Sequence, residues 1–147
     1  MQKSTKSLAA RIGKNACVRS WLSHAFGDAA HASLPFAGNG AAQALEDAAV
    51  LNRLFGEVVG KQLQMQAGAV EMALKAYDEV RRPRSQAVVE LARKYGRIYA
   101  YAEDGMHEDP ERMKAFFRQS AAFTNEFDVA GQNEQAVRRF EAHMEKN

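Results

Sequence analysis

Residues 27–51 read GDAAHASLPFAGNGAAQALEDAAVL, and the rest of the chain is best understood outward from them. Gly27-Asp28 is an acidic tight turn. A loop containing Pro35, Gly38 and Gly40 follows, and then a helix whose first turn carries no bulky side chain. Glycine at positions 38 and 40 permits positive φ and lets another molecule come close to the backbone. The amides of Gly40, Ala41 and Ala42 precede the first intrahelical hydrogen bond and sit at the positive end of the helix dipole. Such an end suits an anion or a developing negative charge. Asp28 is a short carboxylate placed to accept hydrogen bonds from hydroxyl groups. Spacing alone is equally compatible with a turn and a helix cap that bind nothing.

Beyond this segment the apolar pattern is helical. Over residues 40–59, Leu45, Ala48, Leu51, Phe55 and Val58 recur at three- and four-residue steps, which predicts one buried face. Val70, Ala73, Leu74 and Tyr77 predict a second helix. Val88, Leu91, Ala92, Tyr95, Ile98 and Tyr99 predict a third, starting after Pro83. Asp109-Pro110-Glu111 opens a fourth with an N-cap acceptor, a proline at the first helical position and an acid for the dipole; its buried side would be Met113, Phe116 and Phe117. Gly131 is expected to break the next stretch, leaving a final helix over 135–144. Residues 21–26 are the single strand candidate. These helices either pack on one another or form the outer layer of a sheet contributed from elsewhere.

The chain has 147 residues, enough for one core. No apolar run approaches the roughly 18–20 residues that span a bilayer, so no membrane contact is expected. Cys17 is the one cysteine, which excludes an intramolecular disulfide and a cysteine-built metal cluster, and no metal site is expected. Residues 1–26 hold Lys3, Lys6, Arg11, Lys14 and Arg19 without an acid, whereas the remainder has fifteen basic against eighteen acidic side chains. This basic leader reads as a poorly ordered terminus, with a mitochondrial transit peptide as the alternative. Five dispersed charges with Trp21 as the nearby aromatic do not make a nucleic-acid arm, and no nucleic-acid partner is expected.

The residue string is more specific than its spacing. Gly27-Asp28, Ala30-His31, Pro35, Gly38, Gly40 and Glu46-Asp47-Ala48 resemble the flavin-contacting motif of the FAD-dependent aromatic monooxygenases with the p-hydroxybenzoate hydroxylase fold, in its salicylate hydroxylase-like branch. Tyr77, Arg81, Arg82, Pro83 and Arg84 resemble the segment that follows in the same branch. The resemblance runs from residue 27 to about residue 145, and it implies two domains of unequal kind: the leader, 1–26, and a flavin-contacting helical segment, 27–147. The implied fold is mainly α, the helical C-terminal part of an FAD-binding α/β monooxygenase fold, with at most one or two short strands and no complete Rossmann sheet. No GxGxxG stands in the chain, so the expectation is the C-terminal part of a longer protein or a shortened gene product.

By resemblance, Gly27 and Asp28 meet the ribityl chain of FAD, Pro35 lies against the isoalloxazine ring, and Gly38, Gly40 and Ala41 approach its pyrimidine edge. The implied activity is hydroxylation of a small aromatic, salicylate-like substrate with NADH or NADPH and O2, in the cytoplasm, with this chain inactive alone. The alternative is a non-enzymatic helical interaction module derived from such an enzyme, forming a homo-oligomer through exposed apolar helix faces. No catalytic residue is assigned. His31 is expected to bond local backbone and fix its turn. His24, His107 and His143 read as surface residues and Cys17 as an ordinary thiol. Glu46 and Asp47 point about 100° apart on a helix and cannot act as one acid–base pair, so one of them is expected to pair with Arg81, Arg82 or Arg84. Tyr95, Tyr99, Tyr101, Phe116, Phe117 and Phe123 read as core.

Overall fold

The computed structural model describes residues 28–63, 66 and 68–146. The strand candidate at 21–26 and the basic leader lie outside them. The described residues hold a helical turn, Asp28–His31, a 3-10 turn, Pro35–Ala37, and four long helices: α1 (Gly40–Gly60), α2 (Ala69–Tyr99), α3 (Pro110–Asn125) and α4 (Val129–Met144). No strand occurs among them, in agreement with the mainly α expectation.

Start chemistry sets the helix boundaries. Gly38 at φ 62° turns the chain into α1. Asp109 accepts the amides of Glu111 at 3.1 Å and Arg112 at 3.0 Å, with Pro110 behind it. Asp128 accepts the amide of Gly131 at 2.8 Å. Gly131 therefore lies inside the first turn of α4 and does not break it. A Cβ there would collide with the Asp128 carboxylate, so the glycine makes room for the cap.

Two predicted helices are one. α2 runs unbroken for 31 residues with Pro83 in its interior. An interior proline removes a hydrogen bond and costs about 3 kcal/mol relative to alanine. Pro83 faces solvent, while Arg81 and Arg84 on either side of it are buried and held. Sequence rules see the missing amide and not this compensation.

The core forms where α1, α2 and α4 meet: Val50, Leu54 and Val58 of α1, Ala73, Ala76, Tyr77 and Val80 of α2, and Ala136 and Phe140 of α4. The alanines let the helix axes approach. The predicted face of α1 is thus displaced. Val58 is shared and Leu51 packs half-buried against the core, but Leu45 is 72% exposed and Ala48 and Phe55 also face outward. Ala41, Leu45, Ala48, Phe55 and Val59 form a second apolar stripe on the side away from the core, all exposed. α3 buries only Ser120 among its residues and rests on the C-terminal half of α2, where Tyr95 meets Phe116 at 5.3 Å and Phe117 at 5.4 Å. Met113, Phe116 and Phe117 face inward as expected but are half-buried. Tyr99, Tyr101 and Phe123 are exposed, which corrects their reading as core.

Candidate functional site

The segment opening the described residues builds two surfaces, one outward and one inward. Outward lie Pro35, Gly38, Gly40, Ala41 and Ala42, all exposed and contiguous. The Gly38 amide donates to the Pro35 carbonyl at 2.9 Å and closes the 3-10 turn. Of the two glycines Gly38 alone needs a positive φ; Gly40 is the first residue of α1. Among the described residues nothing lies within 4 Å of a Cβ built on Gly38 or Gly40, so they leave the space at both open. The first intrahelical bond runs from the Gln43 amide to the Asn39 carbonyl at 3.0 Å, and Asn39 makes no side-chain cap. The amides of Gly40, Ala41 and Ala42 come before that bond. Asp28 opens the helical turn that ends at His31, and Gly27 lies outside the described residues.

Inward, the same segment is tied to α1 and α2 by buried charge. Arg81 is only 2% exposed. Its Nε donates to Oδ1 of Asp47 at 2.8 Å. Its Nη1 donates to Oε2 of Glu46 at 2.5 Å and Oε1 of Gln132 at 3.2 Å. Its Nη2 donates to the carbonyl of Gln43 at 3.2 Å and to that residue's Oε1 at 3.0 Å. All five guanidinium hydrogens therefore have acceptors, the condition for burying such a group. Arg84 reaches Glu46 as well, Nε to Oε2 at 3.2 Å and Nη2 to Oε1 at 3.1 Å. Two arginines against two carboxylates leave the cluster neutral.

Arg84 is further enclosed by aromatic rings, Phe127 at 3.9 Å and Phe123 at 4.5 Å from its guanidinium carbon. Burial, then the charge of Asp47 and a hydrogen bond to it, push the Tyr77 hydroxyl well above its ordinary pKa. Each of Glu46 and Asp47 thus meets an arginine of α2, as the sequence suggests for one of them. Gln43 and Gln132 complete the network. Gln43 had a signal, since its amide reaches Glu46 three residues on at 2.9 Å. Gln132 lies 51 positions from Arg81 and had none.

His31 departs from expectation, and His24 lies outside the described residues. His31 does not bond local backbone; its Nε2 lies 2.7 Å from Oδ2 of Asp47. His107 lies 2.7 Å from the carbonyl of Ile98 and stacks on Tyr101 at 3.9 Å, and His143 pairs with Glu79 at 3.0 Å. No group of three or more metal-ligating side chains occurs among the described residues. No helix among them is long and apolar enough to cross a membrane.

The segment that carries the open glycine corner and the buried Arg–Asp–His network is also the one that matches a known family. Residues 25–92 match the FAD binding domain family. Over about four-fifths of its length the chain is similar to FAD-dependent monooxygenases. An FAD-dependent monooxygenase of Aspergillus terreus is 38% identical over 119 residues, which is 81% of this chain and 27% of that protein. A 6-methylsalicylate 1-monooxygenase of the same organism is 38% identical over 120 residues, covering 82% of this chain and 26% of its own length. A salicylate hydroxylase of Pseudomonas putida is 47% identical over 73 residues, 50% of this chain and 16% of that enzyme. The chain spans about a quarter of the length of the first two relatives. No solved structure matches it.

Proposed function

We propose that this chain supplies the ribityl- and ring-facing part of the FAD site in a monooxygenase that hydroxylates a salicylate-like aromatic. The observation that carries the reading is the open corner at Gly38, Gly40 and Ala41. Three first-turn amides precede the first intrahelical bond, and among the described residues nothing lies within 4 Å of a Cβ built on Gly38 or Gly40, in a segment that matches an FAD-binding family. That donor set fits the pyrimidine edge of a flavin, where the helix start would stabilise negative charge by about 0.3–1 kcal/mol. Gly27 and Asp28 would take the ribityl hydroxyls and Pro35 the ring face. Bound FAD, reduced by NADH or NADPH, supplies the activation of O2 and the transfer of one oxygen atom to the aromatic ring. The contribution of these residues is placement, electrostatics and exclusion of water. The names of the relatives acting on salicylate and 6-methylsalicylate support the substrate class.

The test is an FAD titration of the chain alone and of the chain joined behind the N-terminal three-quarters of the Aspergillus terreus relative. Weak retention alone and a yellow, NADPH-oxidising fusion are expected. A colourless fusion that consumes no reduced nicotinamide would remove the reading.

A second reading has its own observation. The exposed stripe of α1, with Leu45 at 72% and Val59 at 64% exposure, would serve equally in a helical module that self-associates without flavin. Light scattering separates the two: a flavin-independent oligomer dispersed by Leu45→Glu favours the module.

A further inference from the structure

We propose that α2 is the positioning element of the FAD-facing loop, holding it from behind at two points, His31 through Asp47 and Arg81, and Phe36 in a notch at Gly96. The inference rests on the reading that residues 28–42 face FAD.

The first anchor follows from hydrogen-bond accounting. The buried Arg81 guanidinium 2.8 Å from Oδ1 of Asp47 favours the ionised carboxylate, whose Oδ2 is then an acceptor. The His31 nitrogen 2.7 Å from Oδ2 must then carry the hydrogen. Both side chains are buried, so this donor has no water to turn to instead. His31 ends the helical turn that Asp28 begins, and fixing its ring fixes that turn.

The second anchor is a close approach. A Cβ on Gly96 would stand 2.9 Å from Cδ2 and 3.0 Å from Cε2 of Phe36, and 3.5 Å from Cδ1 of Leu34. Glycine inside a long helix is unfavourable, and here its missing side chain is the seat of the Phe36 ring. That ring also meets Tyr99 at 5.8 Å, edge to face. Pro35 precedes Phe36 and Gly38 follows two residues later, so these two of the proposed flavin contacts lie between the His31 anchor and the start of α1. Neither Gly96 nor Arg81 fronts the open corner; both act through another residue.

The test uses the 147-residue chain and backbone relaxation of its amides, which does not depend on any bound cofactor. Gly96→Leu keeps a good helix former but fills the notch, Phe36→Ala removes the ring, and His31→Leu removes the donor. In each, order parameters over 32–42 should fall from about 0.85 to below about 0.6, while those of 50–58, 73–80 and 136–140 stay rigid. The dissociation constant for FAD should rise about tenfold. His31→Gln, which keeps an amide donor, should restore both. Gly96→Leu added to Phe36→Ala should change little further.

An unchanged loop in Gly96→Leu and His31→Leu overturns the proposal, as does a loosened core in Gly96→Leu. If the loop loosens as expected but the wild-type chain never takes up FAD, alone or in the fusion, the positioning stands and the cofactor reading fails. If wild type and variants take up FAD equally with the same order parameters, the positioning fails and the cofactor reading stands.

Discussion

His31 and Asp47, sixteen residues apart, meet at 2.7 Å between Nε2 and Oδ2 in the buried space behind the glycine corner. Asp47 also accepts from Arg81 and bonds Tyr77, so one carboxylate links the opening turn, α1 and α2. The surface proposed to meet FAD is thereby connected to the interior that holds the helices together.

Arg81→Met should destabilise the chain by about 3–5 kcal/mol, because Glu46 and Asp47 would lose their principal partner while still buried. Arg81→Lys should recover little, having three hydrogens for five acceptors and no planar fork. Urea unfolding followed by helical circular dichroism measures both.

Leu54 and Leu45 share α1 but face opposite ways. Leu54→Ala should cost about 2–5 kcal/mol, since the side chain is fully buried among α2 and α4. Leu45→Ala should stay within about 0.5 kcal/mol in the same assay.

Tyr77 predicts an alkaline limb. Its hydroxyl is held above its ordinary value of 10, so the folded state keeps a proton that the unfolded chain releases. The stability it contributes is fully present below pH 10 and is lost as pH rises beyond that toward the folded value. Urea midpoints between about pH 8 and 11 should fall for wild type and fall less steeply for Tyr77→Phe.

Pro83→Ala should stabilise the chain by about 1 kcal/mol or more. Restoring an interior helix amide outweighs the added freedom of the unfolded state, which is worth about 0.4–1 kcal/mol. The ring is exposed, so no packing is lost. A lower melting temperature in the variant would mean that the Arg81–Arg84 clamp needs the proline's geometry.

Much of the architecture was legible because it is local. Asp109-Pro110 begins α3 where cap chemistry requires, and the loop at Gly38 adopts the left-handed turn that glycine permits. The pairing of Glu46 or Asp47 with the arginines near Pro83 was legible from charge and from the impossibility of their sharing one substrate. The face of α1 was misread because that helix is apolar on two sides, and periodicity reports that a face is apolar without reporting which one is covered. Pro83 and Gly131 were misread as breaks because a local rule cannot weigh a buried ion cluster or an aspartate cap against its own penalty.

By itself the sequence determined the helical character, the caps, the glycine corner and the resemblance to flavin-dependent proteins, since each depends on residues near one another in the chain. Tertiary structure alone decided which stripe of α1 is core, that Arg81 finds five acceptors, that His31 turns to Asp47, and that Gly96 receives Phe36. Those outcomes depend on distances between residues far apart in the chain, and only packing sets them.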